Sequence, residues 1–333
     1  MLTTYQTGKV IMIGSDGDHL MQLVRNFDRP MGVSFYGDMM AMALRNNITI
    51  FKNSPALAST YPNKPDCYDT LFYPTATNIT SYIDTHDVAF SKQGLVAVNT
   101  AYSCLAKVDG THSFEPIWFP PFIRELRNGD ACHLNGCGVD ENMDIRYATA
   151  FGKTTEPGGW RTNKLAGGFL YDIKEQRYLC ENLAMPHSPR VHNNDLYVLL
   201  SAKEALVRID RVTGEQETIA EVDGFIRGLS FNDNYAFIGV SKLRKSHTFG
   251  DLPISRKKIH AGVVIVDITT KEKVAEVFYD EVLEEIYDVH FINGARKANI
   301  LNHHMIQTNP AIVTPEFQGW IEMNTEQDQK KQR

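Results

Sequence analysis

Long apolar runs are missing from this sequence, and so is any mark of export. No stretch approaches the roughly 18 residues of a membrane-spanning helix, and the longest apolar runs are only of strand length. Met1-Leu2-Thr3-Thr4-Tyr5-Gln6 carries neither a basic leader nor an apolar segment, so no secretory signal is expected. Cysteine is scarce. Cys67, Cys104, Cys132, Cys137 and Cys180 form no CxxC pair and are odd in number, which argues against a disulfide framework and makes the cytoplasm the expected compartment. A strong charge of either sign is absent too. The 40 acidic and 34 basic residues leave a net charge of −6, so neither nucleic acid nor a membrane surface is an expected partner. Nucleotide and serine-hydrolase signatures are lacking. There is no Walker or GxGxxG pattern, Gly158-Gly159 is too short for a phosphate loop, and Gly-x-Ser-x-Gly does not occur.

What the sequence does contain is a repeat. Lys9-Val10-Ile11-Met12-Ile13, Asn47-Ile48-Thr49-Ile50-Phe51 and Cys104-Leu105-Ala106-Lys107-Val108 are three copies of one apolar strand motif. Gly168-Phe169-Leu170-Tyr171-Asp172, Ala205-Leu206-Val207-Arg208-Ile209 and Gly262-Val263-Val264-Ile265-Val266 are three more. Six strand motifs recurring every 40–60 residues or so, with Asn, Asp and Gly turns between them, predict an all-β, six-bladed β-propeller. The expected domain is a single toroid over residues 1–322, with a polar, disordered tail over 323–333.

The last blade is incomplete at the C-terminal end of the chain. Tyr287–Phe291 reads as its inner strand, Lys297–Leu301 as the neighbour, and the two outer strands are supplied by residues 9–14 and 19–27. N-terminal strands therefore close the ring, leaving no open sheet edge. Two long connections, 151–166 and 241–261, join second to third strands and emerge on the face where the inner strands begin.

Aligning the six inner-strand openings puts Met31, His86, Asn135, His187, Arg227 and Tyr287 at one position. Two residues earlier stand Arg29, Asp84, His133, Met185, Phe225 and Glu285, and one residue later come Asp87 and Asp288. His86, His133 and His187 thus converge from three blades as expected ligands of a divalent metal, with zinc, iron or manganese ahead of calcium. Glu285, Asp87 and Tyr287 are the expected catalytic groups beside them. The alternative is that the histidines merely bond to backbone or to a neighbouring acid. Arg29, Arg190 and Arg227 near the strand openings, with Trp160, Arg161, Lys164, Lys242 and Arg244 on the long loops, form a basic, partly aromatic rim. With Asn135 they are the expected binders of a small anionic molecule, unless Asp84, Glu156 and Glu285 neutralise them.

The motifs Arg29-Pro30-Met31-Gly32, His86-Asp87, Cys132-His133-Leu134-Asn135-Gly136, Pro157-Gly158-Gly159-Trp160-Arg161, Met185-Pro186-His187-Ser188-Pro189-Arg190, Phe225-Ile226-Arg227-Gly228-Leu229 and Glu284-Glu285-Ile286-Tyr287-Asp288-Val289 carry a resemblance. They resemble, over about residues 25–300, a bacterial family of conserved hypothetical proteins, some joined to tetratricopeptide repeats. That resemblance implies the fold and supplies no reaction. A more distant analogy runs to the six-bladed gluconolactonase and senescence-marker proteins, which hold a divalent metal through acidic and amide groups. The histidines here depart from that pattern.

Two functions are expected from different classes. One is a metal-assisted hydrolase or lyase acting on a small anion at the channel mouth. The other is a non-catalytic ring presenting Trp160, Tyr287 and the basic loops to a glycan, a small ligand or a protein partner.

Overall fold

The computed structural model describes residues 1–243, 254, 257–280 and 283–321. Six antiparallel sheets of four strands each stand around one axis, one of them extended by a fifth strand. The innermost strands are Val33–Tyr36, Thr85–Ser91, Leu134–Val139, Pro186–His192, Phe225–Asn232 and Asp288–Val289, which we call blades 1 to 6. All six repeat motifs found in the sequence are third strands of their blades. They are short, largely apolar runs buried on both faces, and packing each sheet between its two neighbours drives them into register. Six buried apolar clusters occur among the described residues at the successive blade–blade junctions. Val98 and Leu105 of blade 2, for example, pack with Ala148 and Phe169 of blade 3. The core is a ring of wedges, and the axis is left for polar groups.

Closure uses the N-terminal strands, with one change of partner. The sheet order of blade 6 is Asp288–Val289, Leu2–Thr4, Lys9–Ser15, Leu20–Asn26. Leu2 faces Val289 and Thr3 faces Asp288, so the neighbour of the inner strand is Leu2–Thr4 and not the expected 297–301. Ala298–Ile300 runs parallel to Thr70–Ile79 and becomes the fifth strand of blade 1. Two things hold it there. The Asp69 carboxylate accepts the Arg296 and Lys297 N–H groups, and Ile300 is fully buried against Met40, Phe51 and Phe72.

Hydroxyls and carboxylates stitch blades together at five of the six junctions. Thr3, Thr100, Ser201 and Ser241 donate to the carbonyls of Met31, Leu134, Ile226 and Ile286 at 2.8, 2.5, 2.5 and 3.0 Å. Nearer the axis, Asp288, Ser34, Ser188 and Ser230 accept the N–H groups of Val33, Phe90, Gly228 and Phe291 at 2.9–3.1 Å. The strands come so close here that a Cβ on Gly228, at φ 77°, would meet the Asp288 Cα at 2.7 Å.

Outside blade 1 a short helix, Pro55–Ser59, is capped by Ser54, whose hydroxyl accepts the Leu57 N–H. The hairpin Ala311–Val313 and Gln318–Trp320 packs on it, with Trp320 Nε1 donating to the Leu57 carbonyl at 3.2 Å. The proposed tail, 323–333, lies outside the described residues. No helix among the described residues is long and apolar enough to cross a membrane.

Candidate functional site

Four of the residues aligned just ahead of the inner strands share an uncommon backbone. Arg29, Asp84, His133 and Met185 have φ of 52°, 50°, 51° and 53°, a left-handed conformation costing a non-glycine residue on the order of 1 kcal/mol or more. The inner strands of blades 2 to 5 then slip register by a bulge at Thr85/Val88, Leu134/Gly136, His187/Arg190 and Ile226/Leu229. Bulges re-aim side chains, and these sit at the channel mouth.

In blades 2 and 4 the left-handed turn points a carbonyl at the ring two residues on. His86 Nδ1 lies 3.0 Å from the Asp84 carbonyl and 2.8 Å from Thr100 Oγ1. His187 Nδ1 lies 3.2 Å from the Met185 carbonyl and 2.6 Å from Ser201 Oγ. Each hydroxyl already donates its proton to the next blade. A carbonyl only accepts, so the proton of each imidazole sits on Nδ1 and Nε2 carries a bare lone pair. Burial lowers the pKa of His86 to about 4, helped by the positive field of His133 and Arg227 and opposed by Asp84. Burial, then Arg227, takes His187 well below the ordinary value. Both rings are neutral at pH 7.

His133 is held differently. Its Nδ1 meets Asp130 Oδ2 at 2.9 Å, and Trp160 Nε1 donates to the same oxygen at 2.9 Å. The imidazole lies against the Trp160 ring at 4.3 Å and the Phe151 ring at 4.6 Å, and meets His86 edge-on at 4.7 Å. A cavity of about 370 Å³ opens over these groups. On its far side the Arg227 guanidinium stacks 3.6 Å above the centre of the Tyr287 ring, and no carboxylate among the described residues pairs with it. The Tyr287 hydroxyl is buried, with the Arg227 guanidinium as its polar neighbour. Burial pushes its pKa up, so it stays protonated.

A family model for a domain of unknown function, DUF4915, matches residues 1–301. The chain belongs to the DUF4915 family. No curated protein matches it. Among solved structures, the DUF4915 chain is similar to one in a crystal structure of a nidogen/laminin complex. The TM-score there is 0.56 at 12% identity, covering 86% of this chain and 96% of that one. A computationally designed protein, Ika8, gives a TM-score of 0.40 at 9% identity, covering 88% and 79%. At 12% identity the first likeness concerns the fold alone.

The three histidines, Arg227, Glu285 and Tyr287 from the aligned strand openings, and Trp160, Arg161 and Lys242 from the long loops, line the same cavity of this DUF4915 chain. Five other expected site residues do not line it. Asp87, expected as a catalytic group, and Arg190, expected to bind an anion, both lie outside the cavity lining. They form a forked, buried ion pair between blades 2 and 4, at 3.0 and 3.2 Å, that also takes up the Val88 and Cys137 N–H groups and the Cys137 carbonyl. Arg29 donates to the Tyr5 and Tyr82 hydroxyls at 3.0 and 2.8 Å and leans over the Tyr5 ring. Asn135 is buried and accepts from Thr149 Oγ1. Lys164 is 7% exposed, away from the cavity lining. Arg244 lies outside the described residues.

Asp130, which orients His133, was missed by the alignment because it stands in the loop before blade 3. Its only signal is the Asp-x-x-His spacing. Phe151 was missed as a wall because it follows a second strand and not an inner one.

The donor chemistry of the imidazoles would suit zinc, iron or manganese, since each Nδ1 is pinned and each Nε2 is free. Their spacing does not suit an ion. Among the described residues no three imidazole, thiol or carboxylate groups are grouped so as to hold one. The Phe151 ring contacts both His133 and His187, at 4.6 and 5.0 Å, and the Arg227 charge acts on His86 and His187.

Proposed function

We propose that the channel-mouth cavity binds a small organic anion and moves a proton on it, as an acid–base enzyme of the hydrolase or lyase kind. One observation carries the reading: the Asp130–His133 pair opens on the same cavity as Arg227. A carboxylate that holds Nδ1–H fixes the tautomer, leaving Nε2 to take a proton from water or from a carbon beside the anionic group. Arg227 offers a planar fork of donors to that group, and Lys242 and Arg161 add positive charge at the cavity wall. Tyr287, kept protonated by burial, offers its hydroxyl as a hydrogen-bond donor to the bound anion. Trp160 and Tyr287 are 3% and 4% exposed, which suits walls of a cavity better than a surface for a glycan or protein partner.

The test is calorimetric titration of the purified chain with small carboxylates, alongside elemental analysis. Binding should weaken at least tenfold in Arg227→Lys, which keeps the charge but loses the fork, and should persist in His133→Asn. Carboxylate affinity unchanged in Arg227→Lys would refute the anion site. Stoichiometric zinc, iron or manganese that disappears in His133→Asn would replace the reading with the metal-assisted one.

A further inference from the structure

We propose that the anion taken by this cavity is a polyhydroxylated carboxylate, a ring or chain bearing several hydroxyl donors beside its acid group. The inference rests on the anion reading and adds the chemistry of the remainder of the ligand. It starts from the three imidazoles. His86, His133 and His187 each spend Nδ1 on an acceptor of the protein: a backbone carbonyl and a hydroxyl for the first and third, and the Asp130 carboxylate for the second. No Nε2 of the three makes a hydrogen bond to a described residue, and all three rings line the cavity. Three consecutive blades thus offer imidazole lone pairs, with Arg161 on the blade 3 loop as a donor beside them. Asp84, also in the lining, is a further acceptor.

The imidazoles select their ligand by what they lack. A plain alkyl or aryl carboxylate would satisfy Arg227 but seal the imidazole lone pairs away from water with nothing donating to them. A phosphate or sulfate, which is rich in acceptors, would set oxygen against nitrogen lone pairs. An amine or a metal cation would face the Arg227 charge. A molecule with one carboxylate for Arg227 and hydroxyls for the Nε2 atoms serves the guanidinium and the three imidazoles at once. The lining also carries aromatic rings, and Phe151, Phe225 and Trp160 offer flat apolar surface to the C–H faces that a polyol also carries. A cavity of about 370 Å³ admits a six-membered ring with its substituents.

Three kinds of probe of similar size separate the terms: glucuronate and galacturonate, which have a ring, an acid and hydroxyls; cyclohexanecarboxylate, with a ring and an acid only; and xylose, with a ring and hydroxyls only. Titrated calorimetrically into the full chain at neutral pH, one of the two uronates should bind at least a hundredfold more tightly than cyclohexanecarboxylate. It should also bind at least tenfold more tightly than xylose. His86→Phe, which keeps a flat ring but removes an acceptor, should weaken the uronate at least tenfold and leave cyclohexanecarboxylate no weaker. Equal affinity for uronate and cyclohexanecarboxylate would overturn the hydroxyl inference while sparing the anion site. Equal affinity for uronate and xylose would overturn the anion site instead. Binding of none of them at millimolar concentration would overturn the proposal outright.

Discussion

Replacing Arg190 with methionine tests how the axis is held together. The substitution keeps much of the apolar stem but strips the guanidinium from Asp87, whose side chain is 6% exposed. Two forked bonds to the carboxylate go, with those to the Cys137 and Pro189 carbonyls. Leaving one partner of a buried ion pair behind costs about 3–5 kcal/mol. At roughly 2.1 cal/mol/K of unfolding entropy per residue, a 333-residue chain loses about 1.4 °C per kcal/mol, so melting should fall by roughly 4–7 °C at pH 7. The deficit should depend on pH. Burial already pushes the Asp87 carboxyl up in the parent, and Arg190 opposes that rise. Without Arg190 the folded variant holds a proton that the unfolded chain releases near pH 3.9, so stability falls as pH rises through that window. Melting curves of parent and variant should therefore converge as the buffer is taken from pH 7 towards about pH 5. Adding Asp87→Asn, which removes the stranded charge, should restore most of the loss. A variant melting within about a degree of the parent at pH 7, or a deficit that ignores pH, would refute this account.

Deleting residues 1–26 removes three of the four strands of blade 6 and should abolish the cooperative melt, whereas a melting point like the parent's would contradict ring closure. His86 has a folded pKa of about 4 against the ordinary 6.5, so its neutral form supports the fold fully above pH 6.5. About 3 kcal/mol of that support is lost as pH falls from 6.5 to 4, and imidazole NMR should find Nε2 unprotonated until close to pH 4. A titration near 6.5 would show the ring is wetter than its surroundings imply. Asp130→Asn takes away the charge shared by His133 and Trp160 and should cost roughly 1.5–3 kcal/mol while shifting tryptophan emission. Unchanged emission and stability would remove Asp130 from the site.

The parts of this fold legible in sequence are those where burial enforces a period. Val263-Val264-Ile265-Val266 and its five counterparts are third strands with little freedom to be anything else. The same regularity located the strand openings, and with them the three histidines and Arg227. Leu2–Thr4 was not legible because it is three residues long and two of them are threonines. Their burial makes sense only once Met31 and Lys9 carbonyls are beside the hydroxyls. Asp87 and Arg190 were expected at the cavity from their nearness to the strand openings, and the bulges there turn them into the contact between blades 2 and 4. Asp130 belongs to a loop, and loops carry no period.

The seam that closes the ring shapes how the chain folds. Leu2 pairs with Val289, nearly the whole chain away, so closing the last blade brings together the two most distant parts of the ring. Without that pairing the meander of Leu2–Thr4, Lys9–Ser15 and Leu20–Asn26 leaves the edge of Leu2–Thr4 bare, an invitation to intermolecular pairing. Such remote contacts make for slow folding, in milliseconds to seconds or beyond. They also make for slow opening, because releasing the seam means breaking the wedges on both sides of blade 6 together. The durability of this ring is better measured as a half-life than as an equilibrium constant.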